Sequence, residues 1–248
     1  MPGESMLATA VREVGEEIGA EVAVTRKLSD VSYRIDTGRK TVSFWAMRYL
    51  RESGEPDDEV DKVEWLPPKA ARKLLTYDLE RRVLAEFAAL PPPDAVLILV
   101  RHARAGKRSE WRGDDYERPL DLSGERQAQR LVPFLRAFAP ERVYAAEPKR
   151  CVQTVEPFAD SLGVPVKTRP EFSDACYSDA PDESETAIRA LAKPGRVSVV
   201  CSQGQTIPGV IDRLVPGVAS TETRKGSAWV LSFVDGTVVS ADYYDDPF

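Results

Sequence analysis

The stretch VLILVRHARAG, residues 96–106, places the only histidine of this 248-residue chain, His102, directly after an apolar run. Five consecutive aliphatic residues are typical of a strand that is buried on both faces of a parallel sheet. Ligands of open α/β sheets bind at the carboxyl ends of such strands. The stretch therefore predicts an α/β domain with His102 and its neighbour Arg101 at the binding edge.

Strand and helix patterns continue to alternate on the C-terminal side of this stretch. Further elements are predicted as strands at 142–146, 165–168 and 197–202, and as helices at 123–138, from about residue 149, and at 183–193. Residues 228–244 are interpreted as a hairpin, because Asp235-Gly236 is a strong turn signal between two apolar strands. This alternation predicts a three-layer α/β/α domain.

The proline run LPPPD, residues 90–94, marks the predicted boundary between two domains. Consecutive prolines cannot continue a helix, and they favour stiff, extended backbone. We therefore assign residues 1–90 and 94–248 to separate domains. The elements predicted in the first domain are a helix at 5–19, strands at 31–35, 41–50 and 62–66, and a closing helix at 75–90.

Composition argues against several classes of function. The net charge of −6 gives no attraction for nucleic acid or for an anionic membrane, so neither is an expected partner. No apolar stretch reaches the roughly 18 residues of a membrane span. The three cysteines are odd in number and widely spaced, which suits a reducing compartment, and we expect a cytoplasmic protein.

Three carboxylates share one face of the first predicted helix. Glu13, Glu16 and Glu17 are spaced i, i+3 and i+4, with apolar residues on the opposite face. Clustered acids repel each other unless a divalent cation lies among them, and oxygen ligands of this kind prefer Mg²⁺ or Mn²⁺. A solvated acidic face explains the same spacing, so the spacing alone leaves both interpretations open.

A longer pattern around these acids resembles the box of the Nudix hydrolases, G-x5-E-x7-R-E-U-x-E-E-x-G-U, where U is a bulky apolar residue. The matching residues are Glu4, Arg12, Glu13, Val14, Glu16, Glu17 and Gly19. The resemblance implies that the three acids of the helix face hold Mg²⁺ or Mn²⁺, with Glu13 among the catalytic residues. It also implies that Glu59 supplies one more metal ligand or a base. The box's opening glycine and the strands before it would precede Met1, so we expect an incomplete Nudix α/β/α fold with impaired activity.

Fixed positive charge flanks His102, since Arg101 precedes it and Arg150 follows a later predicted strand. Converging guanidinium groups bind phosphate oxygens and hold phosphorus in line for attack by an imidazole nitrogen. Three segments resemble the histidine-phosphatase (phosphoglycerate-mutase-like) superfamily and its SixA-like branch: LVRHARAG (99–106), RPLDLSGERQAQRL (118–131) and VYAAEPKRCVQTVEPFA (143–159). The resemblance implies that His102 is the nucleophile and that Arg101 and Arg150 form its phosphate pocket.

The same resemblance implies two more functional positions. A general acid is expected in PEFSDACYSD, residues 170–179, with Asp174 as first choice and Glu171 as second. Gln203 stands where the superfamily has its second histidine, and Gly204 follows it in the phosphate pocket. Glutamine donates only a neutral hydrogen bond, so the missing positive charge is expected to lower the rate by roughly a hundredfold or more.

A Nudix half followed by a histidine-phosphatase half resembles the actinobacterial MutT-type two-domain hydrolases. The resemblance implies hydrolysis of nucleoside polyphosphates such as 8-oxo-dGTP, 8-oxo-GTP or diadenosine polyphosphates. The second domain would then remove phosphate, or hold the phosphates of a neighbouring molecule by self-association. Two alternatives stay open, namely a catalytically weak phosphate-binding or regulatory protein, and a phosphatase of phosphoproteins or sugar phosphates that uses the second domain alone.

Two segments near the predicted pocket have simpler interpretations. Residues 107–119 mix charges of both signs and are predicted to form a solvated loop over the pocket. A contact of Lys107 or Arg108 with phosphate is the less favoured interpretation of that loop. Lys225-Gly226 is predicted to be a simple turn.

Overall fold

The computed structural model describes residues 5–36 and 38–247, so the predicted box residue Glu4 lies outside the described residues. Residues 9–92 form one compact unit, and residues 93–247 form a larger unit to which residues 5–8 also belong. Within the described ranges, no helix is long and apolar enough to cross a membrane.

The smaller unit combines helices with two-stranded antiparallel sheets. Its elements, in chain order, are α1 Met6–Ile18, β1 Ala20–Lys27, β2 Val31–Ile35, β3 Gly38–Val42, β4 Trp45–Glu52, α2 Pro68–Leu74 and α3 Asp78–Ala89. Strand β1 pairs with β4, and β2 pairs with β3. The structure confirms the predicted first helix, the strand at 31–35 and the closing helix.

The predicted single strand at 41–50 is wrong, because the structure divides it between β3 and β4. The division falls at Phe44, whose ring packs against the buried side chains of Leu28, Ala46 and Val83. The carbonyl of Phe44 also accepts a hydrogen bond from the Leu28 amide at 2.8 Å. A side chain drawn into the core thus ends one strand before the next begins.

Two further departures concern elements without the usual local signal. Residues 62–66, predicted as a strand, are irregular, and within the described ranges they pair with no other strand. Strand β1 was not predicted, because nearly all of its residues are buried and the alternation of apolar and polar residues is therefore absent.

The larger unit is an α/β domain built on one mixed sheet. Its elements are β5 Ala95–Arg101, α4 Leu122–Arg136, β6 Arg142–Ala145, α5 Lys149–Leu162, β7 Val166–Thr168, α6 Asp174–Asp179, α7 Pro181–Arg189, β8 Arg196–Ser202, α8 Thr206–Leu214, β9 Ala228–Val234 and β10 Thr237–Tyr244. The strand order is β10-β9-β5-β8-β6-β7. Strands β5, β8, β6 and β7 run parallel, whereas β9 and β10 are antiparallel to their neighbours. The predicted alternation of strands and helices is confirmed.

Helix α8 was not predicted, because its first half contains proline and glycine, Pro208-Gly209, which both disfavour helices. Proline is tolerated in a first turn, where its missing amide hydrogen has no helical acceptor. Glycine is required at position 209, because a side chain there would overlap the hydroxyl of Tyr177. Close packing between helices therefore explains a residue that local propensity disfavours.

Strand β5 is the central strand, and it positions the candidate site. Its residues from Ala95 to Val100 are almost completely buried, as the apolar run predicts. It pairs in parallel with β8, with Arg101 opposite Ser202 in the register. The residues that follow both strands, His102 and Gln203, therefore leave the same edge of the sheet side by side.

The closing hairpin forms as its turn signal predicts. Asp235 and Gly236 have φ values of 49° and 73°, so both adopt the left-handed conformation that a two-residue hairpin turn requires. The turn pairs β9 with β10, and β9 lies against β5 on the side opposite β8.

Candidate active site

The backbone around His102 is held on two sides. Its amide donates to the carbonyl of Ser202 at 3.0 Å, which continues the pairing of β5 with β8. The amide of Ala103 donates to Thr154 Oγ1 at 2.9 Å, and that hydroxyl donates to the carbonyl of Arg150 at 2.6 Å. Thr154 thus connects the His102 segment directly to the helix turn that carries Arg150.

The imidazole of His102 is buried, and one tautomer is set by its surroundings. Its Nδ1 lies 2.8 Å from the carbonyl oxygen of Ala103. Because a carbonyl only accepts hydrogen bonds, Nδ1 carries the proton and Nε2 carries the lone pair. A lone pair on Nε2 is the requirement for nucleophilic attack by the ring.

The pKa of His102 is lowered to about 3, mainly by burial. The hydrogen bond to the Ala103 carbonyl raises the pKa, but by less than burial lowers it. The positive charges of Arg150, Arg101 and Lys225 lower this pKa further. The ring is therefore neutral at physiological pH. A neutral ring amid cations can accept a phosphoryl group without first losing a proton.

This ionisation state is open to a direct test, because the chain contains one histidine. We expect the ¹⁵N resonances of the imidazole to show the neutral Nδ1-H tautomer from pH 8 down to about pH 4.5. A titration midpoint near the ordinary value of about 6.5 would contradict the buried, neutral ring. The same titration in denaturant supplies the control, since the exposed ring should regain the ordinary value.

Arg101 packs tightly against the turn after β8. A guanidinium nitrogen of Arg101 donates to the carbonyl of Thr223. A side chain at Gly204 would come within 2.6 Å of Nη2 of Arg101, so glycine is needed where the guanidinium lies against the backbone. The structure thus brings Arg101 together with Gly204, two of the four positions that the sequence predicts for phosphate binding.

Arg150 is buried at the start of α5, and it is paired with a carboxylate. Its Nη2 lies 3.0 Å from Asp115 Oδ2, and its Nη1 donates to the Asp115 carbonyl at 2.7 Å. Asp115 Oδ1 also pairs with Arg118 at 2.8 Å and with Arg108 at 3.0 Å. Burial raises the pKa of Asp115, but the hydrogen bond from Arg118 and the nearby arginine charges outweigh it, so that the net pKa is lowered.

Most residues of the predicted solvated loop 107–119 are exposed, as expected, but Asp115 is partly buried and paired. Its carboxylate contacts a pocket arginine in the way a bound anion does. The charged composition of the loop concealed this contact, because nothing in the local sequence separates one acid of the loop from the others.

Gln203 is buried, and the orientation of its amide is defined by a backbone contact. Its Oε1 accepts a hydrogen bond from the Asp174 amide at 3.0 Å. The Nε2 end is the donor end of the group, and it is the end suited to a phosphoryl oxygen. Gln203 therefore lies at the end of β8 beside His102, as predicted, as a neutral hydrogen-bond donor.

Asp174 has a positioning function in this structure. Its Oδ1 accepts hydrogen bonds from the Gln205 amide at 3.0 Å and from the Thr206 amide and hydroxyl at 2.8 Å and 2.9 Å. These bonds hold the turn that leads from Gln203 into α8. A general-acid role for Asp174 stays a prediction.

Glu171, the second choice for the acid, lies in different surroundings. Its carboxylate is 3.4 Å from Arg169, and its side chain lines a cavity along α7. That cavity contains none of the residues that surround His102.

Sequence reasoning missed Lys225, which is near enough to lower the pKa of His102. Lys225 lines a cavity of about 610 Å³ together with Arg101 and Arg104. Burial lowers the pKa of Lys225, and the charges of Arg101, Arg118 and Arg104 lower it further. The local pattern Lys-Gly predicts a turn and nothing more, so no sequence signal could have found this residue.

The acidic helix face of the smaller unit is partly neutralised by its own arginine. Arg12 Nη2 lies 2.6 Å from Glu13 Oε1, and Arg12 Nη1 lies 2.8 Å from Glu16 Oε2. In the described part of the chain, no three His, Cys, Asp or Glu side chains are placed to share a metal ion. The carboxylates of Glu13, Glu16, Glu17 and Glu59 have the right chemistry for Mg²⁺, but the structure does not assemble them into a site.

The structure explains why the last matching position of the Nudix-like pattern, residue 19, is a glycine. It follows α1 with φ of +64°, and a side chain there would come within 2.8 Å of the Glu55 carbonyl carbon and the Pro56 nitrogen. The Gly19 carbonyl accepts the Ser53 amide at 2.9 Å, and the Glu16 carbonyl accepts the Asp57 amide at 3.1 Å. The loop that carries Glu59 is thereby fixed to the end of the acidic helix.

A neutral imidazole with an available nitrogen, set among arginines at the carboxyl edge of an α/β sheet, defines a class of phosphate hydrolase that works through histidine. Residues 97–243 match the family described as the histidine phosphatase superfamily (branch 1). Residues 1–87 match the NUDIX domain. The chain belongs to the histidine phosphatase superfamily, carries a Nudix domain before it, and is a phosphate hydrolase. Nudix domains generally use a divalent metal ion, whereas histidine phosphatases need none.

Several known proteins are similar to this chain. The 8-oxo-(d)GTP phosphatase of Mycolicibacterium smegmatis is 41% identical over 251 residues, which cover 99% of this chain and 77% of the relative. Among solved structures, YhfR of Bacillus stearothermophilus has a TM-score of 0.51 at 14% identity and covers 61% of this chain and 97% of its own. The protein histidine phosphatase SixA, complexed with tungstate, has a TM-score of 0.50 at 19% identity and covers 60% and 94%. The two structures share the fold of the larger unit.

Proposed function

We propose that this protein hydrolyses oxidised guanine nucleotides, 8-oxo-dGTP and 8-oxo-GTP, and so removes them from the nucleotide pool. The similarity to the 8-oxo-(d)GTP phosphatase, at 41% identity over 99% of this chain, is the observation that carries the proposal. The surroundings of His102 support it, because they are suited to a phosphoryl group. Diadenosine polyphosphates are the second substrate class to be compared, since they contain the same anhydride bonds.

In the larger unit, we propose that Nε2 of His102 attacks the terminal phosphorus while the bond from that phosphorus to the leaving oxygen breaks. Arg101 and Arg150 hold the phosphoryl oxygens, and Gln203 Nε2 donates a hydrogen bond to one of them. The phosphate must replace the Asp115 carboxylate on Arg150, which it can do because each anion offers a guanidinium group two oxygens as hydrogen-bond acceptors. Water then breaks the nitrogen–phosphorus bond, releases orthophosphate and restores the neutral ring.

In the smaller unit, the proposal assigns the nucleotide's metal ion to Glu13, Glu16 and Glu17, with Glu59 as a further ligand. When bound, Mg²⁺ or Mn²⁺ would neutralise the phosphates and lower the pKa of a bound water. The ion pairs of Arg12 with Glu13 and Glu16 each use one oxygen of the carboxylate, so the second oxygen of each would be available to the ion.

A nucleotide-binding protein with little turnover is the second candidate. It is favoured by Gln203, because a neutral amide replaces the cationic imidazole that the superfamily uses at this position. Tight binding of 8-oxo-dGTP without release of phosphate would support this candidate and contradict the enzymatic one.

The test is hydrolysis of 8-oxo-dGTP, dGTP and a diadenosine polyphosphate by the full chain, with magnesium and with a chelator. We expect a preference for 8-oxo-dGTP, and we expect the double variant Glu16→Gln, Glu17→Gln to lose at least about tenfold of the metal-dependent rate. The matched control is Glu156→Gln, Asp160→Asn, which removes the same charge from the exposed side of α5 and should leave the rate unchanged. Full activity of the Glu16, Glu17 variant would refute the metal assignment.

A further inference from the structure

We infer that the larger unit has a second phosphate subsite, formed by Lys225 and Arg104 beside Arg101, and that its substrates are phosphoanhydrides and not simple phosphate monoesters. The inference rests on the proposed phosphoryl site at His102 and names the substrate class of that site. The subsite receives the phosphate that adjoins the transferred one.

The subsite lies in the cavity of about 610 Å³ beside His102. The cavity is lined by the cations Arg101, Arg104, Lys107, Arg224 and Lys225, and by only two acids, Glu110 and Asp121. Arg101 borders both this cavity and the His102 surroundings, so the two are adjacent. An anion that extends away from His102 along Arg101 enters a cavity of positive charge.

Part of this charge is already neutralised. Lys107 pairs with Glu110 at 3.2 Å, and Arg224 pairs with Asp245 at 2.8 Å. The carboxylate of Asp121 accepts the amides of Gly124 and Gly106 at 2.8 Å and 3.0 Å, which leaves it occupied as a helix cap.

Arg104 and Lys225 remain without such a partner. Across the described ranges, neither side chain forms an ion pair. Burial and the charges of Arg101 and Arg104 lower the pKa of Lys225, and the nearby carboxylate of Asp121, which raises it, offsets only part of this effect. Three cations held together in a cavity beside a single nearby carboxylate, Asp121, carry an excess of positive charge, which is typical of an anion-binding site.

The position of Lys225 is fixed relative to Arg101. The turn that carries Lys225 is bonded to Arg101 three times, through the Gly226 amide to the Arg101 carbonyl at 3.0 Å, through the Arg101 amide to the Ser227 carbonyl at 3.0 Å, and through the guanidinium to Thr223. Gly226 has φ of +82°, and a side chain there would press on Gln127 at 3.2 Å. The ammonium group is therefore carried by a rigid turn beside the phosphate pocket.

The acid–base chemistry of the site points to the same substrate class. An alkoxide leaving group needs a proton from a general acid, whereas a phosphate, whose second pKa is about 6, leaves as an anion at neutral pH. Asp174, the predicted acid, already accepts three hydrogen bonds at Oδ1 and holds the turn before α8. A leaving phosphate takes the electron pair of the broken phosphorus–oxygen bond, and the cations Lys225 and Arg104 stabilise its charge.

The test measures binding of pyrophosphate and orthophosphate to the full chain by calorimetry, with a chelator present. We expect pyrophosphate to bind about tenfold more tightly than orthophosphate. Lys225→Gln should weaken pyrophosphate roughly fivefold to tenfold and orthophosphate less than about twofold. The matched control Lys193→Gln removes the same charge from an exposed position and should change neither, and Lys225→Arg should retain most of the preference.

Two kinds of failure are distinguishable. The second subsite is refuted if pyrophosphate and orthophosphate bind with equal affinity, or if Lys225→Gln weakens the binding of both anions equally. Either result is compatible with the phosphoryl site at His102. If neither anion binds, or if Arg150→Gln leaves both affinities unchanged, the phosphoryl site itself is wrong and the subsite falls with it.

Discussion

Replacing His102 with asparagine is expected to lower phosphoryl transfer by the larger unit by a factor of about 1,000 or more. Asparagine retains a polar group of similar reach, but its amide nitrogen has no lone pair available for attack on phosphorus. The measurement is trapping of a phosphoenzyme from γ-³²P-labelled nucleotide, with a chelator added to silence the metal-dependent reaction. Label that persists on the His102→Asn protein would show that another residue is the nucleophile.

A loss of activity in His102→Asn could come from unfolding and not from loss of the nucleophile. The pH dependence of stability that the buried ring causes distinguishes the two. The pKa of His102 is about 3 in the folded protein and about 6.5 when the chain is unfolded. Because the folded value is the lower one, the unfolded state binds the proton more strongly, and stability falls as the pH decreases from about 6.5 towards 3. The expected loss is about 1.4 kcal/mol for each pH unit in that range.

His102→Asn removes this penalty, so the inactive variant should resist unfolding at pH 4 to 5 better than the original protein. Chemical denaturation at pH 5 and pH 8, read by hydrogen exchange of the β5 amides, measures the difference. A variant that is less stable at both pH values would indicate that the lost activity comes from disrupted packing.

Gly124→Ala is expected to destabilise the larger unit by about 2 to 4 kcal/mol, a large effect for one methyl group. A side chain at Gly124, in the first turn of α4, would overlap the backbone carbonyl of Arg104. That carbonyl accepts the Asp121 amide at 3.0 Å, and the Asp121 carboxylate caps the same helix turn. Because the obstacle is backbone, it cannot turn aside as a flexible side chain would.

The segment that must move follows His102 directly, so the phosphatase rate should fall together with stability. Hydrogen exchange of the β5 amides reports the stability of the larger unit, and phosphate release reports the rate. Gln129→Ala is the control on the same helix, since its side chain is exposed, and it should change the stability of the larger unit by less than about 0.5 kcal/mol. An unchanged exchange rate in Gly124→Ala would mean that α4 and the His102 segment approach less closely than the structure indicates.

The features that follow from short-range pattern were predictable from the sequence. The buried run of β5, the hairpin turn at Asp235-Gly236 and the alternation of strands and helices each depend on a few consecutive residues. The position of Gln203 came from the resemblance to the histidine phosphatases, and the parallel pairing of β5 with β8 explains why it lies beside His102. In the smaller unit, the acidic face of α1 was readable from its spacing alone.

The predictions that failed concern residues whose environment comes from distant parts of the chain. Strand 41–50 divides where Phe44 packs into a core that includes Val83, and α8 contains Gly209 because Tyr177 leaves no room there for a side chain. Neither effect has a counterpart in the neighbouring sequence.

The amino-acid pattern alone was enough to determine the α/β class of the larger unit and the edge of its sheet at which the lone imidazole, His102, lies. Tertiary contacts decided which charged groups surround that imidazole. Asp115 forms an ion pair with Arg150, which lies 35 residues further along the chain. The turn that carries Lys225 is hydrogen-bonded to Arg101, more than 100 residues earlier. Asp174 accepts hydrogen bonds at the start of α8. The physical reason is that charge and hydrogen bonding act over a few ångströms in space, and only the folded chain brings such distant residues within that range.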